Sequence, residues 1–166
     1  PHLTWESEKD RGQSHALNKA LARSTGEVIG WLNSDDAYAD RRSIEAAVRI
    51  FEQRPEVGLV YGHSLMIDAD NKVLQVMWAP GNAQSLLGLM TTFTQPSVFL
   101  RRSVLESPFL REDLNFVMDR DLWVRLTEIT KFTHCGILTG IDRQHGDRKE
   151  ERAAYHTERA AYYRAG

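Results

Sequence analysis

EVIGWLNSDDAY, residues 27–38, places two adjacent aspartates at the end of an apolar run. The run over 27–32 predicts a continuous strand, typical of a sheet that is covered on both faces. In open α/β sheets ligands bind beyond the carboxyl ends of the strands, which is where Asp35 and Asp36 would lie. Two carboxylates there can hold a hard divalent cation, with water and substrate phosphates as the remaining ligands. The alternative is a turn in which these polar side chains cap backbone N–H groups.

The elements on either side of this stretch alternate between helix and strand. The spacing of apolar residues predicts a helix over 12–26, with Gly26 as its C-terminal cap. A second helix is predicted over 40–55, with Asp40 as its N-cap, and an apolar strand follows over 57–62. The order helix, strand, helix, strand with short connections favours an α/β fold with a parallel sheet.

The remainder of the chain predicts smaller elements. They are a hairpin over 63–78 with its turn at 68–71, a loop and short helix over 79–90, a strand over 96–102, a helix over 119–129, a strand over 131–138 and a surface helix over 147–163. We expect Trp31, Trp78 and Trp123 in the core, and structural roles for His63 and His134. Since the sequence shows no internal repeat and no linker, it predicts a single domain over 1–166.

The composition argues against nucleic acid and membrane-spanning classes. The 166 residues include 21 Lys and Arg against 23 Asp and Glu, a formal charge of −2. This balance lacks the basic footprint of a nucleic-acid-binding protein. Cys135 is the single cysteine, so no intramolecular disulfide forms and a reducing, cytoplasmic compartment is expected. No run approaches 18 apolar residues, so we expect no transmembrane segment; a location peripheral to the membrane is compatible with this.

Two longer motifs resemble a known family. SEKDRGQSHALNKALARSTGEVIGWLNSDDAY, residues 7–38, resembles the inverting nucleotide-sugar glycosyltransferases of family two, and FVMDRDLWVRL, residues 116–126, is similar to the start of a helix in that family. Weaker matches are QPSVFLRRSVLE at 95–106 and DRQHGDRK at 142–149. The resemblance implies a GT-A-like (nucleotide-diphospho-sugar transferase) α/β sheet with helices on both faces.

The resemblance also implies roles for the adjacent aspartates. Asp36 would hold Mg²⁺ or Mn²⁺, and Asp35 would lie nearer the ribose or a metal-bound water. Transfer from a nucleotide sugar expels a diphosphate, whose growing negative charge a bound cation can neutralise. Asn33 stands where many relatives have a further aspartate.

Asp119 matches the catalytic base of the family. An inverting transfer needs a carboxylate that takes the proton of the acceptor hydroxyl from the side opposite the leaving group. The alternative is that Asp119 caps the helix that begins near Arg120. Relatives carry Glu before this Asp, whereas this chain has Met118. We expect Asp121 to serve the helix N-terminus.

The resemblance implies further contacts around the donor and acceptor. Arg11 and Lys19 would approach the diphosphate, or would be solvated helix charges. Asp10 and Gly12 match the loop that borders the donor site. Two more predictions are that His145 contacts the metal or a phosphate, unless it is a surface histidine, and that Gln95 lines the acceptor side.

Family members begin with a strand–helix–strand unit that holds the nucleobase, and nothing in this chain matches it. We therefore expect a domain that is incomplete at its N-terminus, with self-association into a homo-oligomer as one way to cover the exposed sheet. The first functional hypothesis is inverting transfer of a sugar from a nucleotide-diphosphate sugar to a saccharide or other hydroxyl acceptor. The second is a catalytically inactive, self-associating or partner-binding module, and the third is a metal-dependent phosphoryl enzyme.

Overall fold

A mixed sheet with helices on both faces organises the protein. The computed structural model describes residues 4–87, 89–90, 92–144 and 153–165. The helices are α1 (Gln13–Arg23), α2 (Arg42–Gln53), α3 (Ala83–Leu86), α4 (Met118–Thr127) and α5 (Ala153–Ala165), with short 3₁₀ turns at Gln95–Ser97 and Arg102–Val104. The strands are β1 (Val28–Gly30), β2 (Ala37–Tyr38), β3 (Val57–Ile67), β4 (Val73–Met77), β5 (Val98–Arg101) and β6 (Lys131–Arg143).

The strand order shows where the predicted parallel sheet is wrong. The order is β1-β5-β3-β6-β2, and β4 pairs with the outer part of β3. β5 lies between β1 and β3 and runs antiparallel to both. β1 and β3, the first two strands predicted from the sequence, therefore run in the same direction but do not pair with each other. Among the described strands, β3 and β6 form the parallel pair, and the other pairings are antiparallel.

Alternating side chains of the central strands face two cores. Leu59 and Tyr61 of β3 belong to the larger cluster, which includes Leu122 and Trp123 of α4. The intervening Val60 belongs to the smaller cluster on the opposite face, whose buried members are Ala47, Phe51, Val57, Val60 and Phe99. Because residues i and i+2 of a strand share a face, one strand supports α4 on one side and α2 on the other. Helices on both faces of the sheet are thus confirmed.

The strand that precedes the two aspartates is shorter and less buried than predicted. β1 covers three residues, of which Val28 and Ile29 are half-buried and Gly30 is exposed. Within the described part of the chain its one partner strand is β5, so β1 lies at an edge of the sheet. Trp31 is buried as expected, but Leu32 is 37% exposed. The prediction of a strand buried over 27–32 was wrong because an apolar run does not distinguish a central strand from an edge strand.

Several boundaries also differ from those predicted. The C-cap of α1 is Ser24 rather than Gly26, and its hydroxyl donates to the Leu21 carbonyl at 2.9 Å. Asp40 accepts a bond from the Arg42 amide, but the N-cap residue of α2 is Arg41. The helix predicted over 119–129 ends at Thr127, and the strand predicted to end at 138 continues to Arg143.

The predicted hairpin is confirmed, while one core prediction is not. β3 and β4 pair antiparallel, and Asp68 in the turn accepts bonds from the amides of Asp70 and Lys72. Trp123 is buried as expected, whereas Trp78, expected in the core, is 73% exposed. Residues 147–152 of the predicted final helix lie outside the described residues, and α5 covers the rest. None of the described helices is long and apolar enough to span a membrane.

Candidate active site

A cleft of about 970 Å³ opens where the loop after β1 meets the N-terminus of α4. Its volume is typical of small-molecule sites, which measure roughly 300–1,000 Å³. Of the residues predicted from the sequence, the cleft brings together Asp35, Asp36, Gln95 and Asp119. The chain separates the first from the last by more than half its length, so this grouping is a product of the fold.

Asp36 is the carboxylate in this cleft whose environment is most unusual. Its Oδ2 accepts a bond from Asn33 Nδ2 at 2.9 Å, and its Oδ1 accepts one from the Arg143 amide at 3.2 Å. Burial raises the pKa of Asp36 to about 6, against the two hydrogen bonds that lower it, and the charges of Asp142 and Asp35 raise it further. A half-buried carboxylate beside two others is stabilised by a cation.

Asn33 is the centre of the hydrogen-bond network behind Asp36. Besides its bond to Asp36, its Nδ2 donates to Gln95 Oε1 at 3.0 Å. Its Oδ1 accepts bonds from Gln13 Nε2 at 2.8 Å and from Trp31 Nε1 at 3.2 Å. The side-chain amide thus uses its donors on one side and its acceptor on the other. The neutral amide can donate a hydrogen bond to Asp36, whereas an ionised carboxylate at this position has no donor.

The strand ends set the position of this network. Gln95 opens the 3₁₀ turn before β5, is buried, and donates to the Trp31 carbonyl. β6 passes under this turn at Gly140, where an added Cβ would lie 2.7 Å from backbone atoms of Pro96 and Ser97. A side chain at position 140 would therefore displace the turn that carries Gln95.

Arg143 ties the acidic turn to the hairpin. It lies at the end of β6, and its Nε donates to the Asp35 carbonyl at 3.1 Å. Its Nη1 donates to the Asp68 carbonyl at 3.1 Å and to Asn71 Oδ1 at 2.9 Å. These bonds use neutral acceptors and hold the backbone of the turn against the hairpin.

Asp119 lies in the first turn of α4, half-buried and lining the cleft. Its Oδ1 accepts a bond from the Arg120 amide at 2.7 Å. The residue therefore has both the contact expected of a helix cap and the placement expected of a base. Asp121 lies in the first turn of α4, as expected; it is buried and also pairs with Arg125 at 2.9 Å.

The donor set suits a cation that arrives with a phosphate. Among the described residues no group of three or more His, Cys, Asp or Glu side chains is arranged as a complete metal site. Mg²⁺, however, typically uses one or two protein carboxylates and completes its shell with water and substrate phosphates. Asp36, with Asp35 and Asp142 close enough to affect its pKa, meets that requirement. The metal stays a prediction.

A family profile identifies the family of this chain. The profile described as Glycosyl transferase family 2 matches residues 5–109, well over half of the chain. The chain belongs to glycosyltransferase family 2. The resemblance inferred from the two sequence motifs is thereby confirmed.

Other comparisons agree with this family. The chain is 27% identical over 128 residues to the O-antigen biosynthesis protein RfbC of Myxococcus xanthus, which covers 77% of this chain and 10% of that protein. It is 23% identical over 149 residues to chondroitin synthase of Escherichia coli, covering 89% of this chain and 21% of the synthase. The chain thus spans about a tenth to a fifth of these relatives.

Solved structures confirm the GT-A-like fold. The crystal structure of S. aureus TarS 1-349 superposes with a TM-score of 0.59 at 15% identity, covering 80% of this chain and 40% of that chain. The same protein in complex with UDP-GlcNAc gives a TM-score of 0.60 at 15% identity, covering 86% of this chain and 42% of that one. At this identity the likeness establishes the fold alone.

The remaining residues implied by the family lie at the start of α1. Asp10 Oδ1 accepts a bond from the Gly12 amide at 2.9 Å. Gly12, the N-cap residue, has φ 137°, a conformation that favours glycine. Arg11 pairs with Glu112 on the surface. These contacts build the entry to the helix, and a role in donor binding stays a prediction.

Lys19 lies on a second, smaller cavity of about 470 Å³. Its Nζ is 2.7 Å from a carboxylate oxygen of Glu8. Both cavities are lined by Ala16 and Ala20 of α1, so they adjoin across this helix. A diphosphate contact by Lys19 would have to compete with Glu8. The predicted metal or phosphate contact of His145 lies outside the described residues.

The sequence analysis missed four residues of the cleft. Asp142 lies near the end of β6 and is buried near Asp36. Arg120 is buried and donates to the Leu87 carbonyl at 2.6 Å. Tyr155 and Tyr163 of α5 also line the cleft. No sequence pattern in the predicted surface helix over 147–163 indicated that these tyrosines would line a cleft.

Proposed function

We propose that this chain forms the catalytic part of an inverting glycosyltransferase that moves a sugar from a nucleotide-diphosphate sugar to an acceptor hydroxyl. The observation that carries the proposal is the single cleft lined by the Asp35–Asp36 turn and by Asp119. Membership of glycosyltransferase family 2 and the TarS fold, solved with UDP-GlcNAc, support it. Both carboxylate groups that such a transfer requires are present in one site.

In the proposed reaction Asp119 acts as the general base. It accepts the proton of the acceptor hydroxyl while that oxygen bonds to the anomeric carbon of the donor sugar. The bond from the anomeric carbon to the diphosphate oxygen breaks, and the nucleoside diphosphate leaves with the electron pair. Attack from the opposite side inverts the configuration.

The acidic turn binds the leaving-group side of the donor. Asp36, assisted by Asp35, would hold Mg²⁺ or Mn²⁺, which supplies positive charge to the departing diphosphate. The network through Asn33 and Gln95 fixes the rotamer of Asp36, so the carboxylate is oriented before the donor binds. The Arg143 contacts hold the backbone of the same turn.

We assign the acceptor to the part of the cleft that is lined by aromatic side chains together with Arg120 and Arg159. Tyr155 and Tyr163 of α5 line the cleft near Asp119, with Phe116 between the helices. Aromatic faces with polar edges suit the alternating C–H and O–H groups of a saccharide. We propose a saccharide or other hydroxyl compound as acceptor.

A donor assay tests the proposal. The chain is incubated with Mn²⁺ and UDP-, GDP- or dTDP-sugars, and nucleoside diphosphate and free phosphate are measured separately. Release of nucleoside diphosphate that EDTA abolishes supports metal-assisted transfer, to water if no acceptor is supplied. NMR of the sugar product decides inversion from its anomeric configuration.

The two other hypotheses give different results in the same assay. Free phosphate without nucleoside diphosphate would indicate a phosphoryl enzyme. No release from any donor, by a chain whose circular dichroism shows it folded, would favour a non-catalytic module. Asp70→Asn is the matched control for variants of the acidic residues, because Asp70 is an exposed aspartate in the hairpin turn.

A further inference from the structure

Glu158 of α5 binds the backbone just before α4. Its carboxylate accepts bonds from the amides of Asn115 at 3.0 Å, Phe116 at 2.7 Å and Val117 at 3.0 Å. Three consecutive amides thus converge on one side chain that lies more than 40 residues away in sequence. Hydrogen bonds to a charged acceptor are stronger than those to a neutral one.

The amide of Val117 belongs to the N-terminus of α4, and the other two amides immediately precede it. The helix begins at Met118, and its N-cap residue Val117 makes no side-chain capping bond of its own. The first amides of a helix have no partner within the helix, and its dipole attracts negative charge there. Glu158 supplies both the acceptors and the charge.

Ring contacts hold α5 against α4 on both sides of Glu158. Tyr155 packs edge-on against Phe116, with ring centroids 6.0 Å apart. On the other side of Glu158, the guanidinium of Arg120 lies 4.9 Å from the ring centroid of Tyr163. The carboxylate is therefore delivered to the amides by a helix that is docked at two other points.

Asp119 lies on the turn that follows these bonds. It is two residues after Val117, lines the cleft and accepts a bond from the Arg120 amide. Without Glu158 the amides of residues 115–117 would lose this acceptor, and the start of α4 would no longer be fixed to α5 at this point. The carboxylate of Asp119 would then be less well fixed relative to the cleft.

We propose that Glu158 is a positioning residue for Asp119: it binds the amides of residues 115–117 and thereby fixes the start of α4, the turn that carries Asp119 in the cleft. The same bonds hold the wall formed by Tyr155 and Tyr163. This inference rests on the proposed function, because Asp119 needs positioning only if it acts as the base.

The test combines amide exchange with kinetics on Glu158→Ala, Glu158→Gln and the control Glu52→Ala. Glu52 is an exposed glutamate of α2, on the opposite face of the sheet. In Glu158→Ala we expect the amides of residues 115–117 to exchange about 10- to 100-fold faster. The kcat for transfer should fall roughly 10- to 100-fold, because a misplaced catalytic group is costly, with the donor KM unchanged within about twofold.

Glu158→Gln separates positioning from simple stabilisation. Glutamine retains one acceptor oxygen, so it should recover part of both the amide protection and the kcat. A role in stability alone would lower the unfolding temperature but leave kcat unchanged well below it. Unchanged kcat in Glu158→Ala, or unchanged exchange at 115–117, overturns the inference.

Failure of the proposed function is distinguishable from failure of this inference. If the wild-type chain releases no nucleoside diphosphate, the proposed function fails. Amide exchange then tests by itself whether Glu158 binds the amides before α4. Lost protection in Glu158→Ala then supports the capping of α4 by Glu158, and retained protection overturns it.

Discussion

Asn33→Asp restores the aspartate that many family members carry, yet we expect it to destabilise this chain. The amide of Asn33 donates to Asp36 Oδ2 at 2.9 Å and to Gln95 Oε1 at 3.0 Å. A carboxylate at position 33 would present an acceptor to both. The bonds from Gln13 and Trp31 to the other oxygen can remain. The substitution therefore converts two attractive contacts into repulsive ones without changing the volume.

The size of the effect follows from these two contacts. The bond to the Asp36 carboxylate is worth about 1.5–3 kcal/mol and the neutral bond to Gln95 about 0.5–1.5 kcal/mol. We expect the free energy of unfolding to fall by about 2–4 kcal/mol, which for a chain of this size corresponds to a loss of roughly 5–15 °C in Tm. Protonation of either carboxyl returns one donor, so the loss should shrink as the pH falls toward the pKa of about 6 of Asp36.

A divalent cation should reverse much of this loss. Four carboxylates in place of three strengthen the attraction for Mn²⁺, and a ligand at a hundredfold excess over its Kd stabilises the folded state by about 2.7 kcal/mol. Urea unfolding followed by tryptophan fluorescence, with EDTA or with Mn²⁺, measures both effects. Trp31 and Trp123 are buried and report the transition.

Asn82→Asp is the matched control, because Asn82 is exposed and makes no side-chain capping bond at the start of α3. Its unfolding midpoint should match the wild type. The reasoning is refuted if Asn33→Asp unfolds at the same urea concentration as this control in EDTA, or if Mn²⁺ stabilises it no more than the wild type.

Three further predictions concern single side chains. Asp36→Ala should abolish the Mn²⁺-dependent part of turnover while the circular dichroism is unchanged, since a metal ligand is worth several kcal/mol in the transition state; persistent Mn²⁺ dependence would exclude this site. Asp119→Asn should lower kcat about 10²- to 10⁴-fold with little change in donor binding, and a wild-type rate would make Asp119 only a helix cap. Burial and then the neighbouring His63 lower the pKa of His134 below 6.5. The unfolded chain therefore binds more protons as the pH falls below 6.5, and stability is lost as the pH falls from about 6.5 through the lower pKa of folded His134. Urea titrations should show that His134→Gln flattens this decline, and an equal slope in both proteins would contradict it.

Local sequence patterns predicted most of the helices and strands. The apolar stripe of α2, the turn Asp68–Asn71 and the buried segment at the start of β3 depend on neighbouring residues. The resemblance of two motifs also identified the family and implied the roles predicted for Asp36 and Asp119. These properties are local, because helix and strand periodicities and turn chemistry act over a few residues.

Tertiary structure alone decided the pairing of the strands. β5 inserts between β1 and β3, which makes β1 an edge strand and leaves Leu32 partly exposed. Trp78, with an apolar ring, is exposed because β4 pairs with β3 alone among the described strands. Apolar character shows that a residue can be buried, but the neighbours that bury it come from distant parts of the chain.

The polar surroundings of the candidate site have the same origin. In the sequence Asn33 is an ordinary turn residue. It becomes the centre of a hydrogen-bond network because Gln13 and Gln95 approach it from two other segments of the chain. The raised pKa of Asp36 reflects burial together with Asp142, more than 100 residues away. Glu158 lies in a charged tail that resembles any solvated helix, and only its docking brings it to the amides before α4. Electrostatic and hydrogen-bond energies depend on distance in space and on exclusion of water, and neither quantity can be read from the order of residues along the chain.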